Sequence, residues 1–210
     1  MGKRKKKKGG RGPKAPPKDK AGKKGAPAAA RKSGGGGGDV GLLAQLRGGG
    51  GELLPADPFS GSLSGNNEAV DWALVWQVQD RAGPAVTESY VNLIPTPQGG
   101  THVNGLRTGL VDAMREFCEH HNLLPRGLRL TPDDIWEKIS FILSVKLSDP
   151  QFSGQTKERL SSRSAASFVS GVAKDAFSLW LNEHVADGQE IARLAIENAQ
   201  KRMKKSRKVA

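Results

Sequence analysis

Apolar and polar side chains alternate over residues 69–79, which is the period of a strand with one buried face. The apolar face of this strand comprises Trp72, Leu74, Trp76 and Val78. Residues 82–84 (Ala-Gly-Pro) predict a turn and residues 88–94 a second strand, so the two strands are expected to form a hairpin. Pro95 and Pro97 are expected to end the second strand, because proline has no N–H to donate to a sheet.

The spacing of apolar residues changes to that of a helix over residues 103–122. The apolar stripe of this helix comprises Val103, Leu106, Leu110, Met114, Phe117 and Cys118. Thr131 followed by Pro132 and two acids predicts the start of a short helix. Residues 139–147 are a dense apolar run of strand length.

A long helix is predicted from Ser161 or Ser162 to Val185, followed by a break at Asp187-Gly188 and a second helix from about residue 189. The inner stripe of the long helix is expected to hold Val169, Val172, Ala176 and Trp180. The packed part of the chain is expected to begin near residue 59, with residues 39–60 as a marginally structured linker. These elements together predict a compact α+β fold.

The formal net charge of +12 comes from the two ends of the chain. Residues 1–38 hold 14 Lys and Arg against one acid, residues 201–210 hold six bases and no acid, and the residues between have a net charge of −7. The Lys/Gly/Pro-rich leader is expected to be disordered, since it cannot bury enough surface to offset the entropy of ordering. Such basic runs favour polyanions such as nucleic acid, although a solvated tail without a partner fits equally well.

The single cysteine, Cys118, excludes an internal disulfide framework and a thiolate zinc cluster, and fits a reducing compartment. No apolar run approaches the length of a membrane span, and no apolar segment of a secretory signal follows the basic start. A soluble cytoplasmic protein is therefore expected.

Lys157 lies in a glycine-containing loop between the predicted strand at 139–147 and the long helix, together with Gln155. The ammonium group of lysine can donate three hydrogen bonds to a phosphate, and the amide of glutamine can donate to a phosphate oxygen. Composition alone favours an exposed loop lysine without a dedicated role.

Other candidate sites favour structural roles. Gly99-Gly100-Thr101-His102 precedes a helix but matches neither nucleotide-binding glycine pattern, so a tight turn is expected, with His102 as a hydrogen-bonded structural residue. His120 and His121 would point about 100° apart on a helix and could not bind one metal ion together. Acidic pairs suited to acid–base catalysis are not evident, so neither a complete catalytic site nor a metal site is predicted in this chain. Four tryptophans are assigned to packing: Trp72, Trp76, Trp136 and Trp180.

Four blocks of sequence resemble the B subunits of bacterial topoisomerase IV and, more distantly, of DNA gyrase. They are AVDWAL at 69–74, SYVNLIPTPQGGTHVNG at 89–105, FSGQTKERL at 152–160 and DAFSLWL at 175–181. Several of them occur in the same order as in this family, and the resemblance covers about residues 53–199. It implies a transducer domain with a fold similar to ribosomal protein S5 domain 2.

The resemblance implies that Lys157 reaches the γ-phosphate of ATP with support from Gln155, and that the domain reports nucleotide state to a DNA gate. ATP and Mg²⁺ are implied as cofactors of the intact enzyme, with none held by this chain alone. The implied partners are DNA, the A subunit of topoisomerase IV and a second copy of the B subunit.

The expected organisation has three parts. Residues 1–52 form the leader, in which 39–46 would be a remnant of an ATPase domain; residues 53–187 form the transducer domain; and residues 188–210 form a helix leading toward a cleavage domain. An ATPase domain is expected before residue 53 in the intact protein, so the chain is expected to be an inactive fragment. Two alternatives remain: a stand-alone basic module that binds nucleic acid through its tails, and an S5-like domain that associates with RNA or the ribosome.

Overall fold

The computed structural model describes residues 2, 52–78 and 85–209, with side chains up to residue 206. These residues form one five-stranded sheet and four helices. The strands are β1 (Leu53–Ser64), β2 (Glu68–Gln77), β3 (Thr87–Val91), β4 (Ile94–Pro95) and β5 (Ile139–Leu147). The helices are α1 (Thr101–His120), α2 (Pro132–Trp136), α3 (Arg163–Glu183) and α4 (Val185–Val209). The predicted α+β class is confirmed, while the predicted leader over 1–38, the patch at 39–46 and the turn at 82–84 lie outside the described residues.

The strands lie in the order β1-β2-β5-β3-β4, with β2 antiparallel to β1 and β5. The predicted hairpin between residues 69–79 and 88–94 is therefore wrong, because β5 lies between β2 and β3 and runs parallel to β3. As the most continuously apolar segment, β5 takes the centre of the sheet, where seven of its nine residues are buried. The hairpin that does form joins β3 to β4 through Asn92 and Leu93.

The expected start of the packed part near residue 59 is also wrong, since β1 begins at Leu53 and pairs along β2. Pro55 and Pro58 are unusual within a strand, but β1 lies at an edge of the sheet, where proline is tolerated. The pairing of β1 is irregular between Leu54 and Phe59. Both faces of β2 are buried, rather than one: Val75 on its second face packs with a small cluster that includes Ile142.

The main core lies between helices α1 and α3 and the face of the sheet that carries Trp72, Leu74 and Trp76. The predicted stripe of α1 is confirmed from Leu106 to Cys118. The stripe of α3 is rotated from the predicted one, since Val172, Ala176 and Trp180 are only partly buried. The buried side chains of α3 are Ala165, Val169, Ala173, Phe177 and Leu181.

Helix α4 begins at Val185, so the predicted break at Asp187-Gly188 is wrong and the expected boundary between residues 187 and 188 falls inside a helix. The reason is packing, because a side chain at Gly188 would meet Leu181 and Phe117 at 2.9 Å. The chain turns instead at His184, whose N–H donates to the carbonyl of residue 180.

A buried carboxylate fixes the far end of α4 to α2. Arg202 donates from Nε to Asp134 Oδ1 (2.9 Å) and from Nη2 to Oδ2 (3.0 Å), and the side chain of Asp134 is only 2% exposed. Asp134 also accepts hydrogen bonds from the N–H and hydroxyl of Thr131, which completes the predicted start of α2. Burial raises the pKa of Asp134, but these hydrogen bonds outweigh it and the net pKa lies below the ordinary value. Across the part of the chain that the structure describes, no helix combines the length and apolarity needed to cross a membrane.

Candidate functional site

The loop after β5 is closed at its base by backbone pairing. Phe152 and Leu160 form an antiparallel bridge, and Ser153 N–H donates to Arg159 O (2.9 Å). Ser162, at the N-cap position of α3, accepts from Gln151 N–H through its hydroxyl (2.8 Å). The two ends of the loop are therefore held together by hydrogen bonds at its base.

The tip of this loop presents the predicted donors to solvent. Gln155 and Lys157 are both exposed, and Lys157 adopts a φ of +57°. Gly154 has a φ of +87°, a left-handed conformation that glycine adopts without strain. The Lys157 ammonium lies 6.0 Å from the centroid of the Phe152 ring and forms no ion pair with any described residue. Its charge is thus available to a group outside the described part of the chain.

A second set of contacts ties the loop to the turn before α1. Gln98 donates from its backbone N–H to Glu158 O (3.1 Å) and from Nε2 to Glu158 Oε2 (2.6 Å). Leu160 exchanges hydrogen bonds with the backbone of this turn, donating to Gly99 O and accepting from Thr101 N–H, both at 3.0 Å. Sequence reasoning missed these contacts, and the one available signal was the apolar Leu160 that follows a polar loop.

The glycines of this turn serve close backbone packing, as predicted. A Cβ atom at Gly100 would lie 2.2 Å from Leu160 O, and its φ of +132° favours glycine. His102 is fully buried with its Nε2 atom 3.2 Å from Thr96 Oγ1, which confirms its structural role. Burial lowers the pKa of His102 to about 4, so the ring is neutral near pH 7.

The remaining candidates also have structural roles. Trp72 and Trp76 are buried, and Trp136 and Trp180 pack against the core. His120 is exposed at the end of α1, beside His121. In the described ranges, no group of three or more His, Cys, Asp or Glu side chains could hold a metal ion.

The chain matches the family model described as DNA gyrase B over residues 47–210. It is 67% identical to the B subunit of DNA topoisomerase 4 from Pseudomonas aeruginosa over 156 residues, or 74% of this chain. It is 62% identical to the Escherichia coli protein of the same name, again over 74% of this chain. The chain spans about a quarter of the length of these relatives, 24% in each case.

Two solved structures share the fold. The topoisomerase IV ATP-binding domain of Francisella tularensis, solved with a small-molecule inhibitor, superposes with a TM-score of 0.70 and 36% identity. The match covers 79% of this chain and 44% of that one. The 43K ATPase domain of Thermus thermophilus gyrase B, in complex with an aminocoumarin, gives a TM-score of 0.69 and 25% identity, over 81% of this chain and 46% of that one.

Proposed function

The chain belongs to the DNA gyrase B family, and on that premise we propose that it is the transducer part of the B subunit of a type II DNA topoisomerase. In this proposal the described elements form a transducer domain with a fold similar to ribosomal protein S5 domain 2, and α4, which begins at Val185 and packs on this domain, leads toward a cleavage domain. The domain couples ATP binding and hydrolysis elsewhere in the intact protein to DNA strand passage. DNA, the A subunit of topoisomerase IV and a second copy of the B subunit are its proposed partners.

Lys157 is the residue that we propose to contact the γ-phosphate of ATP, and its exposure without an ion partner at the tip of a fixed loop is the observation behind this proposal. A charge-assisted hydrogen bond of this kind contributes about 1.5 to 3 kcal/mol. If the bond strengthens as charge develops on the transferring phosphoryl group, it also lowers the barrier to hydrolysis. Gln155, two residues away and also exposed, supplies an uncharged donor to the same group.

The described residues could contact a bound nucleotide, but they do not form a complete nucleotide-binding site. Lys157 and Gln155 could bind one phosphate from outside, and no metal-binding cluster accompanies them in the described ranges. Mg²⁺, which would neutralise phosphate charge in the intact enzyme, would therefore be held by another part of the protein. This division of the site makes the lysine a sensor that contacts nucleotide only when the two parts meet.

The test uses a full-length host: the Pseudomonas aeruginosa relative with residues 53–210 of this chain in place of the matching segment. Lys157→Ala in this host is expected to abolish ATP-driven strand passage, measured as relaxation of supercoiled DNA in the presence of the A subunit. The matched control is Lys201→Ala, which removes an exposed lysine from α4 and should leave relaxation unchanged. Normal relaxation by a folded Lys157→Ala host would contradict the proposed contact.

The isolated 210-residue chain is expected neither to hydrolyse ATP nor to relax DNA. The reason is that one phosphate contact cannot hold a nucleotide by itself. Phosphate release and supercoil relaxation by the purified chain would be measured beside the unmodified host, which serves as the positive control. Turnover that co-purifies with the folded chain and is lost with Lys157→Ala would show that the chain contains its own nucleotide site.

A further inference from the structure

Glu158 places a carboxylate directly after the lysine that the proposed function uses. It is the single acid between Gln151 and Ser161, and Lys157 precedes it in the chain. Long side chains on neighbouring loop residues can bring an ammonium and a carboxylate into contact. Such a pair would occupy the lysine before a phosphate arrived, and the carboxylate would also repel that phosphate. Among the described residues, however, no ion pair joins the two groups.

The Glu158 carboxylate is engaged by Gln98 instead. Gln98 Nε2 donates to Glu158 Oε2 at 2.6 Å, and the backbone N–H of Gln98 donates to Glu158 O at 3.1 Å. A hydrogen bond to a charged acceptor is shorter and stronger than a neutral one. The two contacts hold both the main chain and the side chain of Glu158, which is only partly exposed. They direct its carboxylate toward the turn before α1.

The turn that carries Gln98 is itself joined to the sheet. Gly99 accepts a hydrogen bond from Leu160 N–H (3.0 Å), and its own N–H donates to Thr96 O (2.8 Å). Thr96 is buried, and its N–H donates to Ser89 O on β3 (2.7 Å). The amide of Gln98 therefore holds the carboxylate from a fixed base rather than from a second loose segment.

The Lys157 ammonium has a different neighbour, the ring of Phe152. The ammonium lies 6.0 Å from the centroid of this ring. An aromatic face attracts a cation without neutralising its charge. The two charges of the loop are thus held by separate partners, the carboxylate by an amide and the ammonium by a ring.

We propose that Gln98 is a positioning residue for Lys157, which acts by holding the Glu158 carboxylate away from the ammonium. This inference rests on the proposed function, since it concerns a lysine that must be unpaired to contact a phosphate. Without the Gln98 amide, Glu158 would pair with Lys157 and the phosphate would have to displace it. An exposed ion pair is weak, so the expected effect is a loss of about two- to fivefold rather than inactivation.

The test compares three forms of the full-length host: Gln98→Ala, Glu158→Gln and the double variant. ATP hydrolysis is measured as kcat/KM in the presence of DNA and the A subunit. Gln98→Ala is expected to lower kcat/KM about two- to fivefold. Glu158→Gln is expected not to lower it, and the double variant is expected to regain the value of the unmodified host, because an amide has no charge to pair with the ammonium. Gln189→Ala, which removes an exposed glutamine from α4, is the matched control.

Rescue by Glu158→Gln separates this role from a merely structural one. If Gln98 only stabilised the loop, replacing the carboxylate as well would leave the defect of Gln98→Ala in place. A defect that persists in the double variant would therefore overturn the proposal, and so would an unchanged kcat/KM in Gln98→Ala. Urea denaturation of each host confirms that the variants are folded.

A second measurement needs no ATP. The 210-residue chain is treated with acetic anhydride, and acetylation of Lys157 is compared with that of Lys201 in the same sample by mass spectrometry. A carboxylate paired with an ammonium keeps it protonated, and only the neutral amine attacks the anhydride. Acetylation of Lys157 relative to Lys201 is expected to slow about two- to fivefold in Gln98→Ala and to recover in the double variant.

This measurement separates failure of the inference from failure of the proposed function. Slowed acetylation that recovers, together with normal strand passage by Lys157→Ala, would overturn the phosphate contact and leave the effect of Gln98 on the lysine standing. Equal acetylation in all forms, together with strand passage abolished by Lys157→Ala, would overturn only the role of Gln98.

Discussion

His102 is an ionisable side chain placed where it cannot be charged without cost. It is fully buried in the first turn of α1, with Thr96 Oγ1 beside its Nε2 atom at 3.2 Å. Its Nδ1 atom has no hydrogen-bond partner among the described residues. Burial without a carboxylate partner lowers its pKa to about 4, from an ordinary value of 6.5.

This lowered pKa predicts a loss of stability in mild acid. The unfolded chain binds a proton at His102 below pH 6.5, whereas the folded chain does so only near pH 4. The free energy of unfolding therefore falls as the pH is lowered from 6.5 to 4. The expected fall is on the order of 3 kcal/mol. Urea unfolding at several pH values would measure it. His102→Gln, which keeps an amide for Thr96, is expected to remove most of this slope; an unchanged slope would assign the acid sensitivity to other groups.

The sequence predicted the roles of some residues and not of others. Lys157 and Gln155 were identified by the resemblance of their loop to a family block, and both are exposed, as a contact to an external phosphate requires. The turn at Leu93 was not predicted, because Asn-Leu is not a typical turn sequence. The hydrogen bonds between Asn92 and β5 impose the positive φ of Leu93. A contact between residues 55 positions apart leaves no local pattern in the sequence.

At the scale of elements, helices α1 and α3 pack with their backbones close together. A Cβ atom at Gly105 would lie 2.5 Å from Ala166 O, and one at Gly109 would lie 2.5 Å from Ser170 O. The two glycines are four residues apart and so share one face of α1. The backbone of α3 fills the space that their missing side chains leave.

Gly109→Ala is therefore expected to destabilise the chain even though alanine favours helix. Overpacking costs about 1 to 3 kcal/mol, against a gain of about 1 kcal/mol in helix propensity. The control is Gly171→Ala on α3, where an added Cβ would meet nothing within 4 Å and stability should rise by up to about 1 kcal/mol. Chemical denaturation of both variants measures the difference. Equal effects of the two substitutions would mean that α1 and α3 do not approach as closely as described.

Elements with strong internal patterns were predictable, and those defined by distant partners were not. Helix α1 and strand β5 appear in the pattern because each has a long apolar stripe or run. Strand β1 was missed because its prolines and polar residues are tolerated only at an edge. The predicted hairpin was wrong because β3 pairs with β5 through a crossover that includes α1 and α2, which periodicity does not encode.

At the scale of the whole molecule, the larger basic run, residues 1–38, lies outside the described residues, and the smaller one, residues 201–210, falls mostly within α4. Residues 1–38 contribute +13 to a total of +12, so the rest of the chain has a net charge of −1. The described strands and helices all lie at or beyond residue 53. The proposed function uses one exposed lysine of this folded part, whereas a stand-alone nucleic-acid module would use the basic tails.

Removing residues 1–38 separates these two functions. The truncated chain is expected to keep its free energy of unfolding to within about 0.5 kcal/mol, measured by urea denaturation, because the leader supplies none of the described strands and helices. The host that carries only residues 53–210 is then expected to support strand passage without the leader, since Lys157 and the α1–α3 core are retained. A second host, with residues 1–52 placed before the segment, is the control. Two results together would identify the basic tails, rather than the lysine loop, as the functional part. Strand passage would require residues 1–52, and DNA binding by the isolated chain would be steeply salt-dependent and lost on truncation.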